Sequence, residues 1–176
     1  MITDKSGANM VKRNNSFLER ISMHIPLYRG YRERNFRRDV DREVRMAVSK
    51  LIKTTKVELE NVHREVVETG DMVTARKVER IRNKVDTYNT KIEKAANGYS
   101  GIWASVKKEE QELEAVIEYD AKLIESADGL RKDAENIRNS IGDDVSKQIQ
   151  EFERRVDLLI ETYEGRELVL KGLMEA

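Results

Sequence analysis

Apolar residues recur at alternating steps of three and four along most of this chain, and this spacing constrains the fold more than any other feature. Residues spaced in this way lie on one face of an α-helix. Because the steps average about 3.5 residues, they also indicate coiled-coil-like packing between helices. The most regular run consists of Val78, Ile81, Val85, Tyr88, Ile92 and Ala95. The pattern therefore predicts long amphipathic helices that pack along shared seams.

Breaks in the periodicity divide the chain into helices. Pro26 ends a short amphipathic helix, because proline lacks the amide hydrogen that continues a helix. Gly70 suits a helix end and Asp71 suits the next N-cap, which predicts a tight turn between antiparallel helices. The long helices are predicted at residues 34–69, 71–96, 105–141 and 143–172. The predicted fold is all-α: a three- to four-helix antiparallel bundle with long coiled-coil-like helices.

The two ends of the chain are predicted to differ from the bundle. Residues 1–33 are interpreted as a flexible tail, the short amphipathic helix and a turn. The polar C-terminal end is expected to fray. Gly142 leaves open whether the last two long helices are separate or form one kinked helix.

Charge is distributed unevenly, although the net charge is zero. Residues 1–50 carry 12 Lys and Arg against 6 Asp and Glu, and residues 51–176 carry 21 against 27. Such a chain can neutralise itself by folding, associate head to tail, or present its basic part to an anionic partner. Cysteine is absent, which excludes disulfides and fits a reducing compartment. We expect a cytoplasmic protein that is peripheral to the inner membrane face at most, because no apolar run approaches about 18 residues.

The most basic stretch lies before the first long helix and interleaves arginines with aromatic residues. It can be a solvated, self-paired helix face, a contact for an anionic membrane surface, or a nucleic-acid contact. The self-paired interpretation draws support from Asp41 and Arg45, which have the favourable spacing of four residues. The candidate partner or anion contacts are Tyr28, Arg29, Tyr31, Arg32, Arg34, Arg37 and Arg38.

A second aromatic segment interrupts the periodicity after the second long helix. It can close the end of the bundle where two helices reverse, which we favour, or anchor a partner. The residues of this structural loop are Gly98, Tyr99, Gly101 and Trp103.

Asp120 occupies a seam position between Val116 and Leu123. An unpaired buried carboxylate is costly, so Asp120 is predicted to pair with a cation or to face water. We expect its partner to be an arginine of the first long helix.

Known catalytic patterns are missing from the sequence. Glu60 and His63 have the spacing of one half of a di-iron site, but the second half is lacking. The chain has no nucleophile elbow and no phosphate-binding loop. We therefore expect no enzyme activity, no catalytic residue, no metal, no cofactor and no small-molecule substrate.

Two segments, Pro26 to Arg45 and Asn97 to Asp120, resemble an uncharacterised family of small prokaryotic helical proteins. That family has a Tyr-rich turn before a basic R-R-D-x-D-R helix, and a G-Y-x-G-aromatic loop before a helix that ends in Glu-aromatic-Asp. The matching residues are Tyr28, Tyr31, Arg37, Arg38, Asp39, Asp41, Arg42, Gly98, Tyr99, Gly101, Trp103, Glu118, Tyr119 and Asp120. The resemblance implies that the turn, the loop and Asp120 belong to one shared design, and it implies no activity.

The layout is also similar to that of phage-shock and ESCRT-III-type membrane scaffolds, although no motif matches. We predict a non-enzymatic structural or protein-interaction module that self-associates through its third and fourth long helices or binds a protein partner. The alternative is a peripheral membrane scaffold that uses residues 16–38, and a nucleic-acid binder ranks third.

Overall fold

The computed structural model of the chain describes residues 19–23, 25–26, 37–98, 110–142 and 144–175, and these residues form an all-α bundle. Residues 19–23 form a short helix, α1. The four long helices lie close to their predicted ranges: α2 (Arg37–Glu68), α3 (Met72–Gly98), α4 (Glu110–Asn139) and α5 (Val145–Glu175). The last helix, α5, continues to Glu175, three residues beyond its predicted end at residue 172.

The long helices form two hairpins, α2 with α3 and α4 with α5. In the first, Gly70 adopts a φ of 82°, which glycine reaches without a steric penalty. The Asp71 carboxylate accepts the Thr74 amide hydrogen at 3.0 Å and so caps α3, as predicted. In the second, the chain reverses around Gly142, and α4 packs against α5. The last two helices are therefore separate rather than one kinked helix.

The long helices follow one another around the bundle in the order α2–α3–α5–α4. Lys77 of α3 contacts Ser146 near the start of α5, whereas Tyr88 contacts Glu164 further along both helices. Residue numbers thus rise together, so α3 and α5 are parallel neighbours. Because each hairpin is antiparallel, α2 and α4 are also parallel, and both turns lie at the same end. The predicted antiparallel packing holds within the hairpins but not between them.

The predicted seams form the core. The seam of α4 is buried along its described length, through Val116, Asp120, Leu123, Ala127, Leu130, Ala134 and Ile137. The seam of α5 is buried through Val145, Ile149, Phe152, Val156, Leu159 and Tyr163. Two positions of the α3 seam differ from the prediction. Tyr88 is only half-buried and the adjacent Asn89 is buried instead, and Ala95 is also half-buried.

The short helix α1 belongs to the same core. Ile21 and Ile25 are only 1% and 2% exposed and pack with the apolar residues of the long helices. Arg20 of α1 also pairs with Glu125 of α4 at 2.5 Å. This part of the predicted N-terminal segment is therefore integrated into the bundle. Within the described ranges, no helix has the length and apolarity needed to cross a membrane.

A buried ionic network as the candidate functional site

Charged side chains meet inside the bundle at the end opposite the two turns. They come from the first turns of α2, from α4, and from the last turns of α5. Arg166 and Asp120 are both 0% exposed, and the network also includes a buried tyrosine. Its described members are Asp41, Arg45, Asp120, Tyr163, Arg166 and Glu167. We refer to these six residues as the ionic network.

Arg166 joins three helices. Its Nε donates to Oδ1 of Asp120 on α4, and its Nη2 lies 2.8 Å from Oδ1 of Asp41 on α2. Its Nη1 lies 3.6 Å from Oε1 of Glu167 on its own helix. A guanidinium has five donors in a fixed plane, so one arginine can hold several carboxylates in a defined geometry.

Arg45 makes a second set of contacts between α2 and α5. Its Nε donates to Oδ2 of Asp41 at 3.1 Å, and its Nη1 donates to the Tyr163 hydroxyl at 2.5 Å. Its Nη2 lies 2.7 Å from Oε1 of Glu167. The guanidinium carbon also lies 5.7 Å from the centre of the Tyr163 ring, within cation–π range. Asp41 and Glu167 are thus shared between the two arginines.

The electrostatics of the ionic network keep the Asp41 carboxylate charged. Burial alone would raise the pKa of Asp41, but the guanidiniums of Arg166 and Arg45 outweigh burial and hold this pKa below its usual value. Burial, with a further contribution from the nearby Glu167, raises the pKa of Tyr163 to about 12 against the opposing effect of Arg45. Tyr163 therefore remains a neutral hydroxyl that accepts a hydrogen bond from Arg45 at physiological pH.

A neutral hydroxyl group, that of Ser49, joins α2 to α3. The Ser49 hydroxyl donates to Oδ1 of Asn89 at 2.8 Å and lies 3.0 Å from Oε1 of Glu93. Lys53 pairs with the same Glu93 carboxylate nearer the surface. The Asn89 amide can be buried on α3 because its oxygen accepts this hydrogen bond.

Close packing supports the ionic network between α4 and α5. A Cβ atom added to Gly165 would lie 2.9 Å from Cε1 of Tyr119. Glycine at this position therefore lets the Tyr119 ring lie against α5. Tyr119 and Gly165 directly precede Asp120 and Arg166, so this contact sets the distance between the two helices at the central ion pair.

The structure changes the predicted partner of Asp120. Its carboxylate is buried and ion-paired, as expected for a seam position, and the arginine described against it is Arg166 of α5, whereas the prediction was an arginine of the first long helix. Arg45 of that helix contacts Asp41, Tyr163 and Glu167 instead. Sequence reasoning missed Arg166 as a buried residue, although a signal was present. The α5 seam, continued beyond Tyr163 by steps of three and four, reaches Arg166 and then Leu170, and both are buried.

Most of the other predicted contacts lie outside the described residues. This holds for Tyr28, Arg29, Tyr31, Arg32, Arg34, Tyr99, Gly101 and Trp103. Arg37 and Arg38 form the start of α2, and Gly98 is the last residue of α3.

Glu60 and His63 line a groove between α2 and α3, far along these helices from the ionic network. Glu60 pairs with Arg82 at 3.0 Å. Within the described part of the chain, no three His, Asp or Glu side chains are grouped closely enough to hold a metal ion.

Comparisons of the chain with protein-family models, curated proteins and solved structures give no match. The chemistry of the site must therefore be judged from its own geometry. Its central ion pair is inaccessible to solvent, and its charged groups bind one another. Such an arrangement can fix the relative positions of three helices.

Proposed function

We propose that the protein is a non-enzymatic helical interaction module, in which the ionic network holds the two hairpins in one register and the outer helix faces bind a second copy or another protein. The observation that carries this proposal is the burial of Arg166 between carboxylates of three helices. A buried ion network adds little net stability compared with apolar residues of the same volume. Its best-attested role is to specify one arrangement of helices.

The outer face of α5 supports association between proteins. Leu158 is 46% exposed and Leu168 is 68% exposed on the side of α5 that faces away from the core. Single exposed leucines are ordinary on protein surfaces, but burial of a large side chain at an interface contributes substantially to binding. This face belongs to the second hairpin, through which self-association is predicted.

Sedimentation over a wide range of protein concentration tests the proposal. We expect the weight-average mass to rise with concentration, and Leu158→Lys to shift this rise to higher concentration because it places a charge in the interface. Val73→Lys is the matched control, since Val73 is exposed on α3 of the other hairpin. Equal effects of the two variants would contradict association through α5.

A strictly monomeric protein would leave binding to another protein as the remaining form of the proposal. Cross-linking in the native cell lysate, with the Leu158→Lys variant as the comparison, then tests that form. Failure to recover any protein that depends on Leu158 would contradict the interaction module as a whole.

The membrane alternative receives less support from the structure. It requires the apolar face of the first short helix, but Ile21 and Ile25 of this face lie in the core of the bundle. Insertion into a bilayer would require their release from that core, at an apolar cost of roughly 1.5–3 kcal/mol for each side chain. Flotation of the chain with anionic vesicles at low salt would favour the membrane alternative over the interaction module.

A further inference from the structure

The outer face of α5 carries a row of exposed side chains on the side of the helix opposite its buried seam. The exposed residues recur there at steps of three, four and seven, which places them on one helix face. Leu158 lies near the middle of the row. We call this surface the α5 ridge, and it consists of Lys147, Glu151, Arg154, Leu158, Glu161 and Leu168.

The charges of the α5 ridge are arranged around Leu158. Arg154 lies four residues before this leucine, and Glu161 lies three residues after it. Arg154 pairs along its own helix with Glu151, at 2.6 Å and exposed to solvent. Glu161 is exposed and has no ion-pair partner among the residues that the structure describes. The ridge thus presents a cation and an anion on opposite sides of a central leucine.

Charge determines how a second copy of the ridge can face the first. In a parallel pair each residue opposes its own copy, so Arg154 would meet Arg154 and Glu161 would meet Glu161. In an antiparallel pair centred on Leu158, the residues before the leucine oppose the residues after it. Arg154 of each copy then lies near Glu161 of the other, and Glu151 opposes Gly165, which has no side chain. The ridge is therefore complementary to itself in the antiparallel orientation.

The helix beside the ridge is compatible with this arrangement. In an antiparallel pair with a twofold axis, α3 of one copy lies on the same side as α3 of the other. Three cations of α3 that lie beside α5 are each paired with a carboxylate of α5, which limits the repulsion between the two copies. These ion pairs join Arg80 to Glu153, Lys84 to Asp157, and Lys91 to Glu164.

We propose that the partner of the α5 ridge is a second copy of the same ridge, packed antiparallel about a twofold axis close to Leu158. Leu158 packs against Leu158 of the other copy, and Arg154 and Glu161 form two ion pairs related by the axis. This geometry rests on the interaction module proposed above and names its partner. A contact through one helix of each copy is small, so the dimer forms only at high protein concentration.

Cysteine cross-linking tests the geometry directly, because the chain has no cysteine of its own. Leu158→Cys places a thiol close to the twofold axis, so a short bismaleimide should join two copies of this variant. Leu168→Cys lies ten residues further along the helix, which separates its two thiols by roughly 30 Å, and this variant alone should not cross-link. A mixture of Lys147→Cys and Leu168→Cys proteins should cross-link, because these two positions oppose each other in the antiparallel pair.

Charge reversal tests the two ion pairs. Arg154→Glu and Glu161→Arg should each weaken the dimer about 2- to 30-fold in sedimentation, because each variant loses two exposed ion pairs. The double variant restores opposite charges across the axis and should return the dissociation constant to that of the wild type. Glu43→Arg is the matched control, because Glu43 is an exposed glutamate of α2 outside the ridge, and it should leave the dimer unchanged.

The outcomes distinguish the antiparallel dimer from the interaction module itself. Efficient cross-linking of Leu168→Cys to its own copy would show a parallel pair and overturn the proposal, as would a double variant that dimerises as weakly as the single variants. A dimer that depends on Leu158 but does not cross-link through Leu158→Cys would overturn the geometry and leave the interaction module intact. A strict monomer would overturn the second copy as partner, and binding to another protein would remain as the form of the module to test.

Discussion

Replacement of Arg166 by methionine removes the guanidinium that contacts both Asp120 and Asp41, and leaves an apolar side chain of similar length. Asp120 is 0% exposed, so the change leaves a buried carboxylate without its ion-pair partner on α5. Breaking a buried pair from one side typically costs about 3–5 kcal/mol. For a chain of this size each kcal/mol lowers the melting temperature by about 2–4 °C, so we expect a loss of roughly 6–20 °C.

Urea unfolding followed by circular dichroism measures this loss as a fall in the midpoint with an unchanged slope. Arg154→Met is the matched control, because Arg154 lies on the same helix and pairs with Glu151 at 2.6 Å, but is 65% exposed. Exposed pairs contribute about 0–1 kcal/mol, so the control should cost far less than Arg166→Met. Similar costs for the two variants would refute the role of the ionic network in holding the helices.

The double variant Asp120→Leu with Arg166→Met measures the interaction between these two side chains separately from the cost of each single substitution. Replacing both members of a buried pair by apolar groups removes the uncompensated charge. The double variant should therefore be more stable than Arg166→Met alone, with a coupling free energy of about 1 kcal/mol or more. Strict additivity of the two single costs would show that Asp120 and Arg166 do not act as a pair.

Three further predictions concern individual positions, and the first two use the same unfolding measurements. Gly165→Ala should lower stability by about 1–3 kcal/mol because its Cβ would meet the Tyr119 ring at 2.9 Å, whereas Gly172→Ala, with open space around it, should be neutral or stabilising by up to about 1 kcal/mol; a stabilising Gly165→Ala would contradict the close contact. Gly70→Ala should cost roughly 1 kcal/mol through its φ of 82°, and an unchanged midpoint would exclude that strain. The pKa of Tyr163 is raised to about 12 in the folded state, so its contribution is fully present below the unfolded value of about 10 and is lost between about pH 10 and 12. Ultraviolet titration of tyrosinate should show fewer tyrosines ionising in this window in the folded wild type than in the denatured chain. Tyr163→Phe should reduce this deficit by one tyrosine, and the raised pKa of Tyr88 should leave a smaller deficit behind.

The helices and their buried faces could be predicted from the sequence because periodicity is a local property. The seam of α4 placed Asp120 inside the core, and the same periodicity would have placed Arg166 there too if the α5 seam had been continued by one heptad beyond Tyr163. Two buried groups of opposite charge at seam positions favour a pair between them. Asp41 and Arg45 were correctly predicted to pair along α2, but their burial was missed, since the i,i+4 pattern is equally common on solvated faces.

The neighbours of each helix could not be predicted in the same way. Periodicity identifies the face that a helix buries, but it does not specify which helix covers that face. An arginine of the first long helix and Arg166 were both compatible with Asp120, and only the docking of one hairpin on the other decides between them. The parallel contact of α3 with α5 could not be predicted for the same reason, because its ion pairs join residues far apart in sequence.

The two kinds of polar contact have opposite consequences for the bundle. The ionic network is buried and joins α5 to α2 and α4, so it resists salt and is costly to break. The contacts between α3 and α5 are exposed and can be screened, while α3 keeps its closest contact with α2. Amide hydrogen exchange should therefore be faster in α3 than in α5 when residues at the same level along the bundle are compared. Rising salt should increase this difference. Equal protection of the two helices at all salt concentrations would mean that the exposed contacts between α3 and α5 contribute as much to stability as the ionic network. That result would contradict the energetic argument for both kinds of contact.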